Sequence, residues 1–149
     1  MGRLKRSEKM ERKALIVDAS VVVKWFTKEE DKEKAVKIRD DFVNGNIEIV
    51  FPDLILYEIA NALRYNPNFN SDDVNSAIES LLDMEIDIVV PQSSTLKKAI
   101  EISFERNLTI YDSFYIALAS EIDYGFVTSD EQLYKKVKDL GFVYLLGEM

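Results

Sequence analysis

The stretch ALIVDASVVVKWF, residues 14–26, decides the fold. Its opening, Ala14 to Val17, is a brief apolar run ending in the β-branched pair Ile16 and Val17, apolar at every position as a strand covered on both faces must be. The run ends in a carboxylate, Asp18, with a hydroxyl two places on at Ser20, and residues 20–26 then read as a helix. Open α/β sheets bind their ligands beyond the carboxyl ends of the strands, where the strand order reverses. A strand that runs straight into an acid therefore points to the working edge of such a sheet.

Outward from this stretch the same alternation recurs. Residues 47–51, ended by Pro52, residues 86–90, ended by Pro91, and residues 125–128 and 142–145 read as four further strands. Helical spacing fills residues 30–43, 53–64, 71–84, 94–106, 111–122 and 129–140, with Ser71 as a cap and Asn44-Gly45-Asn46 and Gly141 as stops. Strands separated by helices need right-handed crossovers, so the pattern predicts a three-layer, doubly wound α/β domain with a mostly parallel five-stranded sheet. At 149 residues the chain is one domain, placed at 14–146 behind a basic extension, 1–13. That extension carries Arg3, Lys5, Arg6, Lys9, Arg12 and Lys13 against Glu8 and Glu11, and reads either as a solvated tail or as an arm meeting a phosphate backbone.

The charged fraction of 31% beside 47% hydrophobic residues is that of a soluble globular chain. No run approaches the length of a membrane span, and the start lacks the apolar stretch of a secretory signal, so a cytoplasmic address is expected. The absence of cysteine fits that address, and the absence of histidine constrains the chemistry. Without either residue, a bound metal must be held by oxygen, which favours Mg²⁺ or Mn²⁺ over zinc or copper. Acid and base work falls to Asp, Glu, Lys, Tyr or metal-bound water.

The candidate oxygens follow from the topology. Asp18 trails the first strand and Asp130 the fourth, neighbours across the switch point in the common doubly wound order. Asp112 opens the helix that feeds the fourth strand. Glu58 lies in the helix after the second, with Asn61 three residues on along the same face. Singly, each acid has a structural explanation: Asp18 as a plain cap, Thr109 or Asp112 as the cap of its own helix, Glu58 as a solvent-facing residue, and Thr128 with Glu131 as a capping box around Asp130. Together, close carboxylates repel by about 3 kcal/mol per pair at an effective dielectric near 20. A divalent cation relieves that repulsion and attracts the phosphate that a chain of charge −8 would otherwise repel.

At these residues the sequence resembles the PIN-domain family of metal-dependent ribonucleases, and most of all the VapC-type toxins of toxin–antitoxin pairs. The likeness spans about Ala14 to Tyr144 in four pieces in the family's order. LIVDASVVVKWF carries Asp18 and Ser20, FPDLILYEIANAL carries Glu58, Asn61 and Leu63, LTIYDSFYIALAS carries Asp112, and FVTSDEQLYKKV carries Thr128 and Asp130. Ser113 stands where the family often has alanine, either adding a hydrogen bond near Asp112 or merely fitting.

The resemblance implies RNA phosphodiester hydrolysis at an acidic cluster. Asp18 and Asp112 would be the principal Mg²⁺ or Mn²⁺ ligands, completed by Glu58 and Asp130. Ser20, Asn61 and Thr128 would orient carboxylates and waters around them. It also implies a homodimer and a small antitoxin that wraps the protein. Trp25, Phe26, Tyr65 and Phe69, where exposed, could serve either interface.

Rival readings lack their residues. A phosphoacceptor receiver needs an acid after the third strand, where Val89-Val90-Pro91 stands, and a lysine after the fifth, where Leu145-Leu146-Gly147 stands. A haloacid-dehalogenase phosphatase needs an aspartate at Ser20. The five glycines form no phosphate loop. Two alternatives remain: a catalytically silent PIN-like interaction module, and an RNA-processing nuclease with no toxin role.

Overall fold

In a computed structural model, which describes residues 13–149, the central strand β1 is Lys13–Val17 and buries Leu15, Ile16 and Val17. The basic stretch 1–12 lies outside the described residues. Parallel pairing joins β1 to β2 (Ile47–Pro52) on one side and to β4 (Gly125–Thr128) on the other. The outer strands are β3 (Asp87–Val89) and β5 (Val143–Leu145), so the five-stranded sheet has the order β3-β2-β1-β4-β5 and every pair is parallel. The chain builds outward through β2 and β3, then crosses back to β4. The reversal therefore falls between β1 and β4, where Asp18 and Thr128 end their strands.

The connections are α1 (Ala19–Val22), α2 (Lys32–Val43), α3 (Leu54–Arg64), α4 (Ser71–Asp83), α5 (Ser93–Arg106), α6 (Ile110–Ile122) and α7 (Glu131–Val137). The helix expected over 20–26 is shorter: α1 tightens into a 3₁₀ turn at Val23–Trp25, within a run of χ1-restricted valines. The Trp25 indole donates to the Ala35 carbonyl at 2.8 Å, fixing that turn against α2, so Trp25 is core. The next helix, expected from Glu30, starts at Lys32 because the intervening loop is tied otherwise. Lys24 Nζ donates to the Glu30 carbonyl (2.9 Å), Lys32 Nζ to the Thr27 carbonyl (2.8 Å), and Asp31 takes a left-handed φ of 63°.

Two expected caps differ. Asn70 caps α4 in place of Ser71: its side chain accepts from the Asp73 N–H, and Asp73 returns a bond to the Asn70 N–H, each 2.9 Å. At α7 the cap is Asp130, which accepts from the Leu133 N–H at 3.0 Å. Thr128 is still in β4 and turns its hydroxyl to Asp18 instead.

Helix α6 is the buried one. Every residue from Ser113 to Ala119 is buried, because α6 lies against both α5 and the sheet. Tyr115 stacks at a tilt on Phe126 of β4, ring centres 5.5 Å apart. Truncating a ring of this kind to alanine typically costs about 3–5 kcal/mol. The packed unit runs on through the closing turn Leu146–Glu148, whose Leu146 is fully buried.

Candidate active site

Asp18 is placed by the sheet. Its N–H donates to the Val127 carbonyl at 2.9 Å, extending the β1–β4 ladder by one residue. It occupies the cap position of α1, yet its side chain makes no capping bond. Instead Oδ2 accepts from Thr128 Oγ1 at 2.7 Å and from Ser20 Oγ at 2.8 Å. Each hydroxyl in turn accepts a backbone N–H, Thr128 from Asp130 (3.1 Å) and Ser20 from Ser129 (2.9 Å). A hydroxyl has one proton to give, and both protons go to Asp18, so the 3.4 Å approach of the two hydroxyls is a contact rather than a bond. The β4–α7 turn thus locks one carboxylate oxygen through two relays.

Burial dominates the electrostatics. Asp18 is 7% exposed, and loss of solvent pushes its carboxyl up to about 6. The hydroxyls of Thr128 and Ser20 oppose that rise, and the charge of Asp112 adds to it. Glu58, on α3, accepts from the Tyr115 hydroxyl at 2.8 Å through Oε1. Its carboxyl is raised to about 7, by burial first and then by the charges of Asp18 and Asp112, against the Tyr115 bond. The Tyr115 phenol is itself pushed upward by burial and by both carboxylates, so it stays a donor.

Asp112 sits in the first turn of α6, its N–H bonded to the capping Thr109 hydroxyl at 3.1 Å. Its carboxyl is raised by burial and by Asp130, with Thr109 and the Lys136 ammonium pulling the other way. Asp130 is exposed and spends one oxygen on its cap. The acids are therefore coupled from Glu58 through Asp18 and Asp112 to Asp130 along one edge of the sheet. Among the described residues no three of them converge as a preformed cation cage. The arrangement is an open acidic edge. Its donor set is all oxygen, and three of its carboxyls are raised by burial and by one another's charge. A hard dication relieves that kind of strain, so the residues suit such an ion.

Asn61 lies apart from this network: it is exposed on α3, and among the described residues its side chain makes no hydrogen bond to an acid. The Ser113 hydroxyl, fully buried, has no hydrogen-bond partner, so it adds no bond near Asp112. The sequence reading missed Tyr115, although its position three residues after Asp112 puts both on one helical face. It also missed Lys136, for which no spacing argument existed.

Fold and site together define a doubly wound α/β protein with a carboxylate-lined edge at its switch point. The PIN domain model matches residues 15–139, and the chain belongs to the PIN-domain family. Ribonuclease VapC3 of Pyrobaculum aerophilum is 30% identical over 126 residues, covering 82% of this chain and 93% of that one. Among solved structures, Mycobacterium tuberculosis VapC20, a sarcin–ricin-loop-cleaving toxin, superposes with a TM-score of 0.66 at 14% identity, over 87% of this chain and 96% of that one. VapBC2 of Rickettsia felis, bound to a promoter DNA fragment, gives 0.64 at 13%, over 89% and 96%. At such identities these two matches speak for the fold.

Proposed function

We propose that this protein is a divalent-metal-dependent endoribonuclease, the toxin of a VapBC-type pair. The observation that carries the reading is the buried Asp18 carboxylate, held by Thr128 and Ser20 at the switch point and coupled in charge to Glu58 and Asp112. A stable fold has no use for such strain, whereas a phosphodiester hydrolase does. The kinship with Ribonuclease VapC3 supports the same activity.

In this reading Asp18 and Asp112 are the principal ligands of Mg²⁺ or Mn²⁺, with Glu58 and Asp130 completing the set directly or through water. Such a cation, if bound there, would supply Lewis acidity for activating water and positive charge against the phosphate oxygens. The chain supplies orientation. Thr128 and Ser20 hold Oδ2 of Asp18, and Tyr115 holds Oε1 of Glu58. The structural relatives that are toxin–antitoxin complexes support a small antitoxin partner, and a homodimer belongs to the same proposal.

The test is direct. Purified protein should cut RNA with Mn²⁺ or Mg²⁺, chelator should abolish cutting, and Asp112→Asn should abolish it while the circular dichroism and melt stay native. A folded Asp112→Asn variant with full activity overturns the assignment of that residue.

A further inference from the structure

A cleft of about 140 Å³ opens between the start of α6 and the outer face of α7. Asp112 and Asp130 line it, together with Thr109, Gln132, Asn107 and Lys136. Lys136 is the one cation in that lining. Its stem rises from α7 one helical turn beyond Gln132, so both side chains project from the same face. The ammonium is steered rather than free: Nζ donates to the Asn107 carbonyl at 2.9 Å, across the turn that joins α5 to α6. An ammonium has three donors, and this bond uses one. Among the described residues no carboxylate comes within ion-pair distance of it. Yet its charge reaches Asp112, where it favours the ionised form.

An RNA strand approaching an acidic edge on a chain of charge −8 is favoured where a fixed cation stands beside that edge. Here one stands in the wall that the acids themselves line, with two donors unspent and the Gln132 amide beside it. We propose that Lys136 seats a backbone phosphate of the RNA adjoining the one that is cleaved, at the Asp112–Asp130 end of the edge. This rests on the ribonuclease reading and names the side chain that lets an acidic protein hold its polyanionic substrate. Lys135, the preceding residue, is exposed and outside the cleft lining, so it serves as a matched control for diffuse charge.

The experiment measures KM for a single-stranded RNA oligonucleotide over a range of KCl concentrations at saturating Mn²⁺. Lys136→Gln should raise KM several-fold, and should flatten the plot of log KM against log[KCl] by about 0.7, the slope of one single-strand phosphate contact. kcat should move little. Lys136→Arg, which keeps the charge and can keep the tie to Asn107, should restore the slope, and Lys135→Gln should leave it as in the parent. Should Lys136→Gln melt early, Lys136→Met supplies the same neutralisation with an apolar stem. A parent-like slope in a folded neutral variant overturns the proposal, as does an equal flattening in Lys135→Gln. If the parent protein cuts no RNA at all, it is the ribonuclease reading that fails, and this seat with it.

Discussion

Asp18→Asn should abolish activity and at the same time make the metal-free protein more stable at neutral pH. The magnitude comes from the carboxyl itself, which moves from 3.8 to about 6 on folding because the site is dry. Two units correspond to about 3 kcal/mol of ionisation penalty carried by the folded state. Asparagine removes that penalty with little local damage, because both hydroxyls donate to the same oxygen, Oδ2, and an amide oxygen can take both. The Ala19 N–H also supports the carboxylate, and weakening that bond costs about 1 kcal/mol. The net gain should be about 2 kcal/mol at pH 8, which is about 4–8 °C in Tm for a domain of this size. Because the folded pKa is raised, the parent's deficit is absent below pH 3.8, grows as the pH rises to about 6, and is constant above. Urea unfolding of both proteins in chelator, from pH 4 to pH 8, reads the difference directly. A gap that does not depend on pH, or a variant less stable than its parent at pH 8, refutes the claim that Asp18 is held ionised against its surroundings.

Tyr115→Phe removes the bond that holds the Glu58 carboxyl down, so Glu58 should titrate above about 7. The acid limb of the pH–rate profile should then shift to higher pH, while the lost bond costs about 1–2 kcal/mol in a urea melt; an unmoved limb detaches Tyr115 from the site. Mn²⁺ should stabilise the parent, by about 2.7 kcal/mol at a hundred times its Kd. It should leave the Tm of Asp18→Asn nearly unchanged, and differential scanning fluorimetry would expose an equal shift in both as binding elsewhere.

The parallel five-stranded sheet was legible because it rests on periodicity and topology, both of which survive without side-chain detail, whereas the neighbouring of β1 and β4 followed only from assuming the common doubly wound order. Ile16 and Val17 could only be a covered strand, and the right-handed crossover rule leaves few orders for strands so connected. The site was legible only in outline. Asp18, Asp112 and Asp130 could be placed at one edge from their positions after strands and in a first turn, and Glu58 from lying in the helix that follows the second strand. The sequence could not say which hydroxyl serves which acid. Thr128 looked like a helix cap from spacing alone, and its true bond, across to Asp18, joins residues 110 positions apart. Asn61 shows the converse limit: helical spacing put it on the Glu58 face, but a face is wider than a hydrogen bond. Tyr115 hides in the Ala-rich helix as an ordinary core aromatic, and the bond of its hydroxyl to Glu58 joins residues 57 positions apart.

The position of Asp18 in the fold explains why its cost can be borne. It follows the central strand, whose partners on both sides are parallel and whose Leu15, Ile16 and Val17 are buried, so the backbone there has little freedom to relax away from an unfavourable charge. The relays reinforce this. Thr128 and Ser20 each accept a backbone N–H from the β4–α7 turn and donate to the carboxylate, so the turn cannot move without breaking hydrogen bonds in a buried setting. A carboxylate on a mobile loop would escape its desolvation by turning outward. At the rim of two adjoining buried strands it has no such route, and the folding energy of the sheet is converted into a fixed, partly unsatisfied negative charge, which is the condition for strong and oriented capture of a dication.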